Sequence, residues 1–327
     1  MLRIHFTEAD YARTYVSDAP DPLWETVLGL QKLCTPARVA PVYAEWKRHA
    51  RPKIGTAVPK AAVGMVHTLA PPLAYFPDFL TPPEAVDGLD AGLDALRRTP
   101  RHRLRGEVAQ RARIRPLPRW SGALAAGEQE ALDELTEAVR LVHDALIAPE
   151  WSGVEAHVDA DHSARKRAQR AWGVHGMLSS LEPSLHWNPP VLSGRYPVEK
   201  DVYLNGRGLR LVPTYFCWGN PVALADSDLP PVVVYPAALR NERAEKPVRG
   251  DALADLLGRT RAKALIALSS ASSTSELAER LGVSAATASE HATVLRRAGL
   301  IASNRDGSSV VHALTPLGDA MLFGDAH

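Results

Sequence analysis

The most constraining feature of this 327-residue chain is a punctuated run from Ser273 to Leu314, where helix starts and stops recur at short intervals. Ser273-Thr-Ser-Glu276 is a capping box, with Ser273 as N-cap and Glu276 three residues on. The helix it opens carries Leu277, Ala278 and Leu281 on one face and stops at Gly282, a natural left-handed cap. Val283 is placed to plug the core at the turn. Ser284 caps a second helix, Ala285 to Ala298, which buries Ala288, Ala292 and Leu295. Two β-prone runs follow, Leu300–Ser303 and Ser309–Leu314, around a turn expected at Asn304-Arg-Asp-Gly307 with Arg305 at its tip. Pro316 opens a last helix that ends at Phe323. Upstream, Asp251 to Ser270 reads as one helical run, with Leu253, Leu256, Leu257, Ala264, Leu265 and Leu268 available to a core.

Composition divides the chain near residue 250. Of its 20 aromatic residues only Phe323 lies beyond that point, and of its 26 prolines only Pro316 does. The charged run Arg240–Gly250 reads as a solvated connection. The organisation expected is therefore an N-terminal domain over 1–240, a linker over 241–250 and a C-terminal domain over 251–327.

The first 240 residues read as mixed α and β. Leu2, Ile4 and Phe6 alternate with polar residues as in a half-buried strand, and Thr7-Glu-Ala-Asp10 resembles a capping box. Leu132, Leu135, Val139, Val142 and Leu146 keep helical spacing between Glu128 and Ala148. A further helix is expected from about Val154 to Leu181, broken at Gly173 or Gly176. Leu204–Val212, Tyr215–Phe216 and Val232–Tyr235 are expected as strands, with Gly206-Arg-Gly208 as a hairpin turn. The fold class expected for the whole chain is mainly α with some β.

The C-terminal pattern carries the functional expectation. Two helices joined by a short turn containing Gly make a helix-turn-helix, and a hairpin directly after the second helix makes a wing. The outward side of Ala285–Ala298 offers Ala286, Thr287, Ser289, Glu290 and His291, short or hydrogen-bonding side chains suited to reading base edges in a major groove. With Ser284, Arg296 and Arg305 these are the candidate DNA-binding residues. The stretches Leu256-Leu-Gly-Arg-Thr-Arg-Ala-Lys263, Glu276-Leu-Ala-Glu-Arg-Leu-Gly-Val-Ser284 and Ser289-Glu-His-Ala-Thr-Val-Leu-Arg-Arg-Ala-Gly-Leu-Ile301 resemble the ArsR/SmtB winged-helix repressors. The N-terminal region resembles the long domain of unassigned function that precedes such winged helices in some actinobacterial regulators, on Asp21–Val27 and Gly206–Pro213.

The resemblance implies a homodimer on a near-palindromic operator in double-stranded DNA, with repression as the default. It matches Ser289 and His291 to the family's Ser-x-His, and Arg305 to its basic wing tip. The family's metal sensors carry Cys-x-Cys on the helix corresponding to Ser275–Gly282. This chain has only Cys34 and Cys217, so metal sensing through that site is excluded. Residues 251–327 hold 7 basic against 8 acidic residues, so modest DNA affinity per domain, raised by dimerisation, is expected. Arg261, Arg296, Arg297 and Arg305 are available to one face.

Other constellations are weaker. His157-Val-Asp-Ala-Asp-His162 lacks a complete ligand set and reads as a solvated helix with Asp161–Arg165 support, so no metal is expected. Arg165–Arg170 reads as a solvent face or a phosphate contact, and Cys34 as a buried inert thiol. No nucleophile elbow, phosphate loop or dinucleotide fingerprint is present, so neither enzyme activity nor a cofactor is expected. The seven tryptophans upstream of the boundary suit an effector pocket and a packed core equally, and the sequence does not select lining residues. The alternatives are an enzyme fused to an autoregulatory DNA-binding module, and a DNA-binding protein that senses no ligand. Met1–Asp10 lacks the apolar core of a signal peptide, and no run approaches the ~20 apolar residues of a membrane span. The location expected is cytoplasmic, at the nucleoid.

Overall fold

A computed structural model describes residues 1–35, 41–72, 75–217, 220–237, 250–268, 272–306 and 309–323. The chain is mainly helical, 58% against 14% strand, and forms two compact units, Met1–Leu239 and Arg240–His327. Among the described residues no helix is long and apolar enough to cross a membrane.

In the first unit, strand β1 (Leu2–His5) buries Leu2 and Ile4 and leaves Arg3 and His5 outward, the period-two pattern of a one-faced strand. It pairs antiparallel with β4 (Val191–Gly194) and parallel with β5 (Lys200–Tyr203), and β3 (His186–Asn188) completes the sheet beyond β4. A second sheet runs in the order β2 (Tyr15–Val16), β6 (Arg210–Thr214), β8 (Val232–Pro236) and β7 (Val222–Ala223), parallel except at β7. The faces of β6 and β8 serve two cores. Leu211, Val233 and Tyr235 pack with Leu2, Ile4 and Leu178, while Val212 and Val234 pack with Trp24, Trp46 and Leu135 from the helices. Trp24 and Trp46 thus fill the core, whereas Trp172 is exposed; Trp218 lies outside the described residues.

The helix Gln129–Val142 buries its predicted stripe and continues through a π turn, His143–Ile147, which carries Leu146 inward. The long helix Trp151–Ser179 breaks at Gly173, whose φ of 65° follows a non-helical Trp172. The expected solvated face on this helix is corrected. Asp161 and Arg165 form a buried ion pair at 2.7 Å, and the Tyr235 hydroxyl donates to the same carboxylate. Only the outward members of the basic run, such as Lys166, Arg167 and Arg170, face solvent.

Three strand expectations are also corrected. Leu204–Val212 is not one strand: β5 ends at Tyr203, and β6 begins at Arg210 in the other sheet. Gly206–Gly208 is therefore a crossing between sheets rather than a hairpin turn. Gly208, at φ 74°, sits so close to Arg13 that a Cβ would stand 2.3 Å from its carbonyl oxygen. Tyr215 and Phe216 leave the sheet, because their N–H groups donate to the buried Glu25 carboxylate at 2.8 and 3.0 Å.

Glu25 lies on the helix Pro22–Cys34, whose N-cap Asp21 accepts from the N–H groups of Leu23 and Trp24. Arg210 reaches Asp21 at 3.6 Å. The segments Asp21–Val27 and Gly206–Pro213, nearly two hundred residues apart in sequence, are thus joined by a buried ion pair. Cys34, the last residue of that helix, is only half-buried, while Cys217 is fully buried with its thiol pushed up to about 12.

In the second unit the expected single run over 251–270 is corrected. It is two helices, Gly250–Leu257 and Arg259–Ala267, separated at Gly258, where φ is 81°. Positive φ at Gly258 ends the first helix and re-aims the second. Leu253, Ala264, Leu265 and Leu268 reach the core; Leu256, expected there, is exposed. Ser269 and Ser270 lie outside the described residues.

Candidate functional site

The second unit builds its surface helix from local signals. Ser273 accepts from the Glu276 N–H at 3.2 Å, and the Glu276 carboxylate accepts from the Ser273 N–H at 2.7 Å, the reciprocal pair of a capping box. The helix this opens, Thr274–Leu281, ends at Gly282 with φ 65° and ψ 35°. The Val283 N–H returns to the Ala278 carbonyl at 3.0 Å, which closes the left-handed cap. Ser284 then caps Ala285–Arg297, accepting from the Thr287 N–H at 3.1 Å. Three residues, Gly282, Val283 and Ser284, therefore turn one helix into the next.

Ala285–Arg297 rests on Ala288, Ala292 and Leu295, all buried. Two alanines at i and i+4 let this helix approach its neighbour closely. The same period sends Ala286, Ser289, Glu290, Thr293 and Arg297 outward, and all five are exposed.

Of the expected site residues, Ala286, Ser289 and Glu290 stand on this outward face. Ser284 and Thr287 are joined to each other instead, their hydroxyls 2.9 Å apart. His291 lies half-buried on the flank, and Arg296 is exposed in the last turn. Thr293 was missed by sequence reasoning, although counting four residues from Ser289 finds it. A helix N-terminus with unpaired N–H groups favours anionic partners, and the exposed Arg296 and Arg297 extend positive charge along the helix; Glu290 opposes it.

The hairpin follows at once, as β10 (Ile301–Asp306) and β11 (Ser309–Leu314) in antiparallel register, with β9 (Ser272–Ser273) beside β11. The expected turn at 304–307 is corrected. Asn304, Arg305 and Asp306 stand in the strand, Arg305 opposite Val310 and Asp306 opposite Ser309. Residues 307 and 308 and the Arg305 side chain lie outside the described residues.

His312 ties this hairpin to the helix pair and had no sequence signal. It is buried, with Nε2 2.9 Å from Thr274 Oγ1 and Nδ1 2.8 Å from Ser303 Oγ. Burial, helped by the Arg296 charge, holds its imidazole below the ordinary value of 6.5. The folded state therefore prefers neutral His312. Its contribution is complete above pH 6.5 and is lost as pH falls through the lower, folded-state value. Amide exchange of β9–β11 is expected to accelerate as pH drops below about 6, after correction for intrinsic rates, and His312→Gln is expected to abolish that extra opening. Equal acid sensitivity in the two proteins would refute this role.

The first unit holds a separate feature, a cleft of about 520 Å³ walled by Trp24, Tyr75, Phe76 and Tyr196 and lined by Lys32 and Lys200. Among the described residues no three His, Cys, Asp or Glu side chains gather as a metal site; His157 instead turns its Nδ1 to the Gly153 carbonyl at 2.7 Å. In comparisons with family models, curated proteins and solved structures, the chain matched none.

Proposed function

We propose that the second unit is a winged helix-turn-helix of ArsR/SmtB type that binds double-stranded DNA, and that the chain acts as a homodimeric transcriptional regulator, a repressor by default. The observation that carries this reading is one arrangement: a three-residue turn between two helices, an outward face of Ser289, Glu290, Thr293 and Arg297, and a hairpin pinned directly behind it by His312. Short polar side chains near a capped N-terminus suit base edges in a major groove, and the hairpin suits the flanking backbone. Dimerisation compensates for the near-neutral charge of the unit. On this reading the first unit senses or dimerises and performs no catalysis, and the protein works at the nucleoid in the cytoplasm.

Footprinting on DNA upstream of the protein's own gene tests the proposal. Two protected half-sites about one helical turn, ~34–36 Å, apart are expected. Affinity should fall steeply with added salt as phosphate contacts release counterions. Absence of any protected segment, even at about 50 mM salt, would remove the basis for the regulator assignment.

A further inference from the structure

We propose that the outward face of the helix Arg101–Ile114, in the first unit, is a second nucleic-acid contact, which holds the phosphate backbone of duplex DNA through Arg101, Arg105 and Arg113. Duplex DNA as the partner rests on the reading above; the anion-binding surface itself does not.

The chain as a whole carries a net charge of only +1, yet nine arginines fall between residues 97 and 119 against one acid, Glu107. Three of the nine are engaged. Arg97 pairs with Asp94 and Asp133, Arg103 pairs with Glu107 at 2.8 Å, and Arg111 is buried and donates to the Thr68 and Leu69 carbonyls. The other six, Arg98, Arg101, Arg105, Arg113, Arg115 and Arg119, are exposed. Among the described residues no carboxylate oxygen lies within 4.0 Å of any of them. Ordinary solvated surfaces intersperse the two signs; a single-sign row along a helix is the footprint of a polyanion site. The crowding is felt inside the unit, where burial first and then the charges of Arg115 and Arg111 hold His67 below its ordinary value.

The helix gathers these charges on one side. Leu104, Val108 and Arg111 are buried, which leaves Arg101, His102, Arg105, Ala109, Gln110 and Arg113 outward. Between Arg101 and Arg113 that face carries no acid and no large apolar side chain. Gly106 lies at its middle, and a Cβ there would meet nothing within 4 Å. Packing within the unit gives no reason for glycine inside this helix, whereas a closely approaching backbone does. From Arg101 to Arg113 the helix rises about 18 Å, the axial distance over which one DNA strand presents about five phosphates. A guanidinium fork takes phosphate oxygens two at a time.

Other polyanions fit less well. A helix that lies on a lipid surface needs a bulky apolar side to insert, and the apolar side of this one is already buried in the core of the unit. Exposed pairs with acidic side chains of a protein gain little, whereas a phosphate chain adds the release of its condensed counterions.

Fluorescence anisotropy of the full chain on a random-sequence duplex, titrated from about 50 to 200 mM salt, tests the inference. The variant is Arg105→Gln with Arg113→Gln; Arg101, whose stem packs over Gly127, is left in place. Two phosphate contacts carry a slope of about 1.8 in log affinity against log salt, so the parent should lose about twelvefold more affinity than the variant across that range. Arg105→Lys with Arg113→Lys should keep the parent's slope, because both charges remain. On the unaltered chain the duplex should also shield Arg105 and Arg113 from phenylglyoxal, read by mass spectrometry. An unchanged slope in a Gln variant that folds as the parent does, or undiminished labelling of both arginines whatever the variants do, would overturn the inference. Poly-glutamate or phosphatidylserine vesicles that shield the two arginines more strongly than the duplex would overturn the choice of partner. Operator footprinting is read separately. A missing footprint with both arginines shielded sinks the regulator reading alone, and a clear footprint with both freely labelled sinks this inference alone.

Discussion

Replacing Glu25 by alanine is expected to destabilise the first unit by about 3–5 kcal/mol, among the largest effects of any single substitution in this chain. The carboxylate is fully buried and takes one backbone N–H on each oxygen, Tyr215 on Oε1 and Phe216 on Oε2. Alanine strands both donors away from water, at about 1–3 kcal/mol for each one that finds no partner. It also opens a void beside Phe216, which packs on Trp46 with ring centroids 4.5 Å apart. The chain leaves its strand at Tyr215 only because Glu25 receives it there. Loss of this link should therefore loosen the 215–217 segment first.

The same group gives the unit an unusual pH profile. Burial pushes the Glu25 carboxyl up to about 8 and that of Asp21 up to about 6, against ordinary values of 4.5 and 3.8. Backbone N–H groups on both, and Arg210 beside Asp21, oppose this only in part. A raised folded-state value means that the folded chain holds protons which the unfolded chain releases. Stability from this source is complete below about pH 4 and is lost as pH rises through 6 and then 8. Urea unfolding followed by tryptophan emission, which reports the tryptophan-bearing first unit, should yield a midpoint that falls between about pH 5 and 8. Glu25→Gln should be weaker than the parent at about pH 5 but show a flatter decline. Parallel slopes for parent and Gln variant would show that Glu25 does not titrate there.

This link also marks where sequence reading stopped. Signals within a few residues were legible: the Ser273–Glu276 box, the Gly282 cap and the Leu132–Val142 stripe stand as expected, because a cap or a stripe is decided by its own turn. Long-range decisions were not. Nothing near Tyr215 announces that Glu25, far back in the chain, will draw it out of the sheet. Gly258 lies inside the run read as one helix, and only its positive φ shows two helices there, with Leu256 turned to solvent. His312 is one of 12 histidines, distinguished only by the hydroxyls of Thr274 and Ser303 that the hairpin brings to it. The lining of the cleft, drawn from residues 24 to 225, had no local signal at all.

On the DNA-binding reading, changing Ser289, Thr293 and Arg297 together to alanine is expected to weaken operator binding about 100-fold or more. All three are exposed on the outward face of Ala285–Arg297, so their loss should leave stability within about 0.5 kcal/mol. Thr287 and His291, the more obvious choices from sequence, would confuse the two effects. Thr287 shares its hydroxyl with the Ser284 cap, and His291 is half-buried against the unit. The Arg297 change alone should also reduce the slope of log affinity against log salt by about one, as loss of one phosphate contact requires. Ser289→Ala alone should leave that slope intact while relaxing preference at one base pair, since a hydroxyl reads an edge without carrying charge. A triple variant that folds normally and binds operator within about twofold of the parent would mean that this face does not enter a groove, and that the outward row of polar side chains is an ordinary solvated helix surface.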